Sequence, residues 1–550
     1  MQASRRLGVL ALLVIACSAR AAAQELHGTV VDSASRRPLA SAVLAFFDAA
    51  GTALGRHITN ERGEYRVTVS AVAQRVRVLR LGYRARDVAI PPVGAGGTPL
   101  DIAMLAIPAL LEPVSVQAAE SCPRRSDGRA ALALLEQARA GLLATIVARE
   151  ANPATMKLLA FERVMDGNSD RIERQSVRVD SSTRRVKSYE AAGTAADFVR
   201  DGFSRDSAGS RFYFGPDADV LLNDGFSNGY CFRIQDPERA SQNQVGLGFS
   251  AAERRKGRVD IDGALWIDTV ARTLSDIEFR FVGVQRTFNT PEQSGRVSFR
   301  EMPNGMVVVD RWVLRLASAH QDTSYERGTP IRTWYSVREV GGEVARAIWS
   351  DGRAWKARLG TLQLHVLTPQ GTPATSVIVR LDETDYLASP DAKGDLEIPD
   401  LLPGPYGVVV MDTALAPAGI ALGTSLKLYS QRDSTVRATL VTPPPHDFLK
   451  KYCVSVPARH WVAVTVVRSD GTHVSNAKWE LGEDLGTSLE FVHATGTTGP
   501  NGDFGFCSAV ARGKTMQMRV SEVSHTRQVV IVTIIGEVGA VKIELPQRSP

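Results

Sequence analysis

The chain contains only five cysteines in 550 residues. None forms a Cys-x-x-Cys pair or joins a Cys/His cluster at metal-ligand spacing, which argues against a structural zinc site. Histidine is sparse as well, with nine copies. None has a glutamate three positions later and His-Glu-x-x-His does not occur, so the usual ligand sets of zinc peptidases are missing. Beyond the N-terminal segment, no run reaches the roughly 18 uncharged apolar residues of a membrane span, so no transmembrane helix is expected in the mature chain. Neither sign of charge dominates, with 65 basic against 59 acidic residues and a net charge of +6. Arg5, Arg6 and Arg20 lie in the N-terminal segment, and what remains is too weak and too dispersed a charge for nucleic acid. No motif for a cofactor is present, and none is expected.

With 44% hydrophobic and 23% charged residues the composition is that of a globular protein. At roughly 150 residues per domain, its length suggests three or four domains. Residues 1–23 read as a signal peptide. Arg5 and Arg6 supply the positive region, Leu7 to Ala16 an apolar stretch too short to span a bilayer, and Ala21-Ala22-Ala23 the small residues before cleavage at Gln24. A second reading takes Val14-Ile15-Ala16-Cys17 as a lipobox, leaving Cys17 lipidated. Either way the chain is expected to be exported, to the periplasm or the outer membrane. Removal of Cys17 leaves Cys122, Cys231, Cys453 and Cys507, an even number suited to an oxidising compartment. Three connectivities are open, and pairing within domains, Cys122 with Cys231 and Cys453 with Cys507, fits the organisation below.

One pattern recurs three times. It first runs from Gly28-Thr29-Val30-Val31-Asp32 through Pro38-Leu39-Ala40-Ser41-Ala42-Val43 to Thr59-Asn60-Glu61-Arg62-Gly63-Glu64-Tyr65. Alternation at Val30, Ala42, Leu44 and Phe46 suits strands with one buried face, while Asp32 and Gly63 fall where turns need them. The second copy starts at Gly360 with Leu362, Leu364 and Val366 and reaches Asp391-Ala392-Lys393-Gly394-Asp395. The third has Val462, Val464 and Val466, then Asp470-Gly471, Trp479 and Pro500-Asn501-Gly502-Asp503-Phe504. Gly-x-Val-x-Asp, Pro-Leu-x-x-Ala-x-Val and Thr-x-x-x-Gly-x-Tyr together resemble the carboxypeptidase regulatory-like domain, a transthyretin-like β-sandwich. That resemblance implies sandwiches of about seven strands without catalysis of their own, at 24–117, 358–441 and 446–550.

The region 118–350 differs. Ser126 or Asp127 can cap a helix on which Ala131, Leu134, Leu135, Ala138, Leu142, Leu143 and Ile146 share one face, ending near Asn152-Pro153. Its stripe is expected to pack on the strands that follow. Leu265 to Asp268 and Leu274 to Phe281 read as a hairpin, and Pro303-Asn304-Gly305 as the turn between further antiparallel strands. A helix followed by a meander with Leu-Trp-Ile-Asp and a later Asn-Gly turn is similar to the half-barrel of periplasmic lipoprotein carriers, which would imply a concave apolar face able to cup an acyl chain. The fold class expected is therefore mainly β and multi-domain, with immunoglobulin- or transthyretin-like sandwiches flanking a central antiparallel-sheet domain that has one long helix.

Several spellings of catalysis are present without their context. Gly225-Phe226-Ser227-Asn228-Gly229 matches the hydrolase elbow Gly-x-Ser-x-Gly, and Asp268 and His320 follow in order. That elbow needs a strand before it and a helix after it, whereas Tyr230 to Ile234 reads as a strand, so a glycine-rich turn is expected. Ser475-Asn476-Ala477-Lys478 spells Ser-x-x-Lys without its companion motifs. Asp260, Asp262 and Asp268 lack a calcium loop and read as solvated or hairpin-stabilising acids. Arg254-Arg255-Lys256-Gly257-Arg258 reads as a solvated turn, and Trp266, Trp312, Trp334 and Trp349 as core. No catalytic, metal or cofactor residue is assigned, and the chain is expected not to be an enzyme. The leading function is binding or scaffolding for an envelope protein or carbohydrate. Handling of lipid or lipoprotein by the central region comes second, and an unrecognised hydrolase third.

Overall fold

The computed structural model describes residues 23–91, 97–107, 129–166, 169, 171–180, 189, 191, 193–207, 210–235, 243–254, 256–284, 293–321, 333–413, 426–442, 453, 460–483, 492–508, 515–521, 528–533 and 538–545. The segment read as a signal peptide, Cys122, and the caps Ser126 and Asp127 lie outside the described residues. The chain forms two compact units. The first takes Met1–Met156, Ser182–Arg315 and Ala347–Trp355, and the second Lys157–Ser181, Leu316–Arg346 and Lys356–Pro550. The fold is mainly β and multi-domain.

In the first unit, β1 (Ala23–Asp32), β2 (Val43–Phe47), β3 (Ala53–Ile58), β4 (Glu64–Ser70), β5 (Arg75–Leu79), β6 (Arg86–Ala89), β7 (Thr98–Pro99) and β8 (Ile102–Met104) make a two-sheet sandwich. One sheet has β4 antiparallel to β1, with β7 and β8 parallel to it, and the other runs β3-β2-β5-β6. Between them Leu26, Val30, Leu44, Phe46, Val76, Val78 and Met104 are buried, each contributing roughly 1.5–3 kcal/mol of transfer free energy. Asp32 closes the turn after β1 by accepting the amides of Ala34 and Ser35 at 3.0 and 2.7 Å. Those bonds, the Ser35 amide's above all, hold its carboxyl below the usual range.

The helix α1 (Arg129–Ala151) follows, then β9 (Ala154–Asp166), β10 (Ile172–Asp180), α2 (Ala195–Asp201), β11 (Ser204–Ser207), β12 (Ser210–Tyr213), α3 (Ala218–Leu222) and α4 (Asp224–Gly229). An antiparallel meander is built from β13 (Tyr230–Gln235), β14 (Gln244–Ala251), β15 (Asp260–Asp268), β16 (Thr273–Val282), β17 (Ser294–Glu301) and β18 (Val307–Gln321). The expected hairpin is β15–β16, with Trp266 opposite Asp276 and Ile267 opposite Leu274. Ala131, Leu134, Leu135, Ala138, Leu142 and Ile146 of α1 are buried as their spacing predicts, whereas Leu143, expected on the same face, is half-buried and packs elsewhere; the helix packs on β13, β14 and β16. A second face was not expected. Ala144, Val147 and Ala148 pack on Val43 and Ile58 of the sandwich and on Met306. Ser41 donates its hydroxyl to the carbonyl of Gly305, in the turn before β18. Residues 130–151 form the one described helix long and apolar enough to cross a membrane. Burial on two faces makes it the core helix of this unit.

In the second unit β9 lies between β10 and β19 (Thr333–Trp349), and β20 (Ala354–Lys356) is a short strand. Two further sandwiches follow. One has β21 (Gly360–Leu367), β22 (Val377–Leu381), β23 (Leu387–Ala388), β24 (Asp395–Leu401), β25 (Gly404–Asp412), β26 (Lys427–Ser430) and β27 (Thr435–Val441). The other has β28 (His460–Arg468), β29 (Lys478–Glu483), β30 (Val492–Thr497), β31 (Asp503–Ser508), β32 (Thr515–Ser521), β33 (Gln528–Thr533) and β34 (Val538–Leu545). Their sheets, β24-β21-β27 with β23-β22-β25-β26 and β31-β28-β34 with β30-β29-β32-β33, repeat the order of the first sandwich. The last strand pairs parallel with the first in each.

The repetition extends to single atoms. Val30 donates its amide to the carbonyl of Gly63 at 2.8 Å, Val366 to Gly394 at 2.7 Å and Val466 to Gly502 at 2.8 Å. The carbonyls of the same three valines accept from Leu39, Ala374 and Val474 at 2.9, 3.0 and 3.0 Å. The three glycines have φ of 69°, 85° and 68°, and a Cβ on each would stand 2.5, 2.6 and 2.4 Å from the valine carbonyl oxygen. Only glycine meets both conditions without strain. Four residues before Gly63 and Gly502, the buried Thr59 and Thr498 donate to Leu39 and Val474 carbonyls at 2.7 and 2.6 Å. Each also accepts an amide, from Ala42 or Ala477, at 2.9 Å. The second copy has Pro390 at that position.

Cys453 and Cys507 are bonded, with Cα atoms 5.7 Å apart. Cys231 is also disulfide-bonded, and its partner lies outside the described residues, where Cys17 and Cys122 both fall.

Two outcomes follow for stability. Gly63→Ala, Gly394→Ala and Gly502→Ala should each destabilise their own sandwich by more than about 1–2 kcal/mol, since a left-handed residue and a backbone clash combine. Urea titration of each variant checks this, and a near-neutral effect at any one breaks the equivalence of the three sites. Replacing Cys453 and Cys507 by serine opens a loop of 54 residues, which should cost the third sandwich up to about 4 kcal/mol. Unfolding with and without reductant, compared between wild type and the double variant, measures it.

Candidate functional site

Side chains of the first unit enclose a cavity of about 220 Å³. Its wall is apolar: Ile277 from β16, Val297 and Phe299 from β17, Met306, Val308 from β18, and Trp349. The C-terminal end of α1 closes one side with Thr145, Ala148, Arg149, Glu150 and Asn152. Tyr189 and Asp217, Ala218 and Asp219 at the start of α3 close another. The local reasons are simple. Alternation on β16 and β17 turns Ile277, Val297 and Phe299 to the buried face, and Met306 is placed by the tight turn at Gly305. Pro153 stops further helix after α1, leaving the last turn to face the sheet.

The polar part of this lining has three acids, Glu150, Asp217 and Asp219, beside Arg149, Thr145, Asn152 and Tyr189. Asp217 caps α3, accepting the Val220 amide at 2.9 Å and the Ala191 amide at 3.0 Å. Asp219 stands 3.8 Å from Arg149. Burial and the nearby Asp217 carboxylate push the Tyr189 hydroxyl well above its usual pKa. The Tyr189 ring lies 5.1 Å from that of Trp312. Of these cavity residues the sequence points only to Asn152, as the helix end, and to Trp349, as core. The second face of α1 was the available signal.

The residues that spelled catalysis serve structure instead. Gly225 to Gly229 is not a turn but the short helix α4, which Asn223 caps by accepting the Gly225 amide at 2.8 Å. It holds because Phe226 is buried and stacked on Tyr230, ring centres 4.0 Å apart. The Ser227 hydroxyl accepts from Arg139 at 3.1 Å. Asp268 accepts the amides of Val270 and Ala271, both at 2.8 Å, in the β15–β16 turn. The side chain of His320 lies outside the described residues.

Asp260 and Asp262 are not solvated. Both are buried. Arg258 donates to Asp260 at 2.7 and 2.9 Å, and Arg254 lies 3.2 Å from Asp262. The basic run is thus half structural, because the Arg258 side chain is only 14% exposed; Arg255 lies outside the described residues. Asp276, unnoticed in the sequence, is drawn in the same way. Burial alone would raise its pKa, but donors from Arg296, Ser275 and Ser298 at 2.8, 2.6 and 2.7 Å bring it below the usual range. Trp266 is buried with its indole N–H on Glu278 at 3.0 Å, Trp349 is buried, and Trp312 is half-buried. The Trp334 side chain lies outside the described residues. Among the described residues no group of three or more His, Cys, Asp or Glu could hold a metal ion.

The second unit has its own buried polar set. Arg163, 5% exposed, lies 3.8 Å from Glu339 and donates to Gln175 and to the Pro403 carbonyl at 3.1 and 2.9 Å. Arg432 grips Glu343 with two bonds of 2.7 Å. These bonds join β9 and β10 to the loop before β25, and β19 to the turn after β26. A polar cleft on the second sandwich is lined by Gln363, His365, Glu397, Arg437 and Thr439. Its side chains satisfy one another: Gln363 bonds Glu397 and Arg437, both at 3.0 Å. No aromatic platform of the kind sugars stack on is among its lining residues.

No protein-family model matches this chain, and no curated protein matches it. Among solved structures, the Bacillus anthracis TIE protein aligns at 10% identity over 62% of this chain, with a TM-score of 0.15, and the chain spans 64% of that protein's length. A streptococcal ancillary pilin aligns at 12% identity over 46% of this chain and 81% of its own, with a TM-score of 0.16. The major pilin subunit of Bacillus cereus aligns at 9% over 95% and 99%, with a TM-score of 0.13. Alignments at such TM-scores carry no argument.

Because Ser227 holds one partly buried hydrogen bond, Ser227→Ala should lower stability by about 0.5–1.5 kcal/mol at most and leave any ester or peptide hydrolysis unchanged. Thermal melts and turnover of a chromogenic ester on both proteins decide it. A hydrolysis lost with the serine would restore the hydrolase reading.

Proposed function

We propose that this chain is an exported, non-enzymatic cell-envelope protein that acts by binding, with carboxypeptidase regulatory-like sandwiches as a scaffold for a protein or carbohydrate partner. The observation that carries the reading is the threefold valine–glycine lock. It spends the recurring residues of the motif on holding the sandwich together, as a structural module would. The bond between Cys453 and Cys507 supports an oxidising compartment, where such bonds persist. Engagement of Ser227, Asp260, Asp262 and Asp268 in structural bonds supports the absence of catalysis.

A second reading, handling of a lipid-like molecule by the central region, is favoured by the apolar cavity of the first unit. It agrees with the similarity of the helix-and-meander order to lipoprotein-carrier half-barrels.

Fractionation of the producing cells, with intact mass under non-reducing conditions, tests the main reading. The expected product lies in the envelope fraction, begins at Gln24 or at a lipidated Cys17, and has no free thiol. Recovery from the cytoplasm with Met1 retained and thiols free would contradict it.

A further inference from the structure

We infer that the cavity of the first unit takes an amphiphilic cation, an amine or quaternary ammonium at the rim with a small apolar group inside. This rests on the second reading above and adds the size and charge of the occupant.

Size comes first. An apolar cavity of about 150 Å³ admits benzene, so about 220 Å³ admits an octyl chain or a bicyclic ring and is too small for two acyl chains. Ile277, Val297, Phe299, Met306, Val308 and Trp349 offer a head group no hydrogen bond on the inside except the indole N–H. A polar end must therefore stay at the rim.

Charge decides what that end is. Glu150, Asp217 and Asp219 line the cavity against one basic residue, Arg149. Arg149 already faces Asp219 at 3.8 Å, and the carboxylate of Asp217 is fixed by two amides. A carboxylate, phosphate or sulfate would meet a lining of net negative charge, with three acids to one base, whereas an ammonium group gains from it. Tyr189, Phe299 and Trp349 add aromatic surface to the same lining, which a cation can use and an anion cannot.

The test uses the full mature chain and three probes with one tail: octylammonium, octanol and octanoate, titrated at neutral pH by calorimetry and tryptophan fluorescence. Octylammonium should bind at least about tenfold more tightly than octanoate, with octanol between. Glu150→Gln combined with Asp219→Asn should cut that ratio to below about threefold with an unchanged melt, because Glu150 is exposed and the Asp219 side chain is 50% exposed. Val297→Phe, which fills the cavity, should abolish binding of all three. Equal or tighter binding of octanoate, or a ratio untouched by the double variant, overturns the charge assignment and leaves the cavity reading standing. Binding of none of the probes, or binding that survives Val297→Phe in a folded protein, overturns both. Should Val297→Phe fail to fold, the double variant still decides the charge.

Discussion

One backbone geometry underlies the sandwiches of this protein: a valine in the first strand whose carbonyl is taken by the segment that follows the next turn and whose amide is taken by a glycine farther along the chain. In the first sandwich Val30 bonds Gly63 and Leu39, in the second Val366 bonds Gly394 and Ala374, and in the third Val466 bonds Gly502 and Val474. Burying the valine side chain removes water from these groups, so an unmade bond would leave an orphaned polar atom in the core. The glycine satisfies the amide only by entering the left-handed region and coming within Cβ-clash distance of the strand. Packing of the second sheet, the parallel closure by the last strand and the turn after the first strand are all arranged around this crossing.

Much of this was legible, and the reasons are local. A period of two at Leu362, Leu364 and Val366 has one physical outcome on a half-buried strand, and β21 buries those side chains. Asp32 and Gly63 stand at fixed offsets because each solves a turn problem that few residues solve. The second face of α1 was less legible. Ala144 and Ala148 are too small to register in a hydrophobic stripe, yet small side chains let the helix approach Val43 and Ile58. Acids misled for a related reason. Asp260 is buried beside Arg258, two residues away, and sequence shows the pair only as a charged stretch. In α4 the glycines hid a helix that depends on capping by Asn223 and burial of Phe226.

The cavity lies where the last turn of α1, the faces of β16 and β17, and the residues before α3 converge. No single segment of sequence contains it. The buried Arg163, Glu343 and Asp276 each have a partner of opposite charge within the fold, as buried charges need. The cavity rim holds three acids to one base, and that excess of negative charge carries the assignment of its occupant.

Hydrogen exchange of the full mature chain, followed amide by amide, tests the shared lock most directly. Buried, doubly engaged valines should open only when their own sandwich unfolds. The amides of Val30, Val366 and Val466 should be among the slowest to exchange in their respective sandwiches. Rapid exchange at any of the three, in a chain whose neighbouring strand amides stay protected, would contradict it.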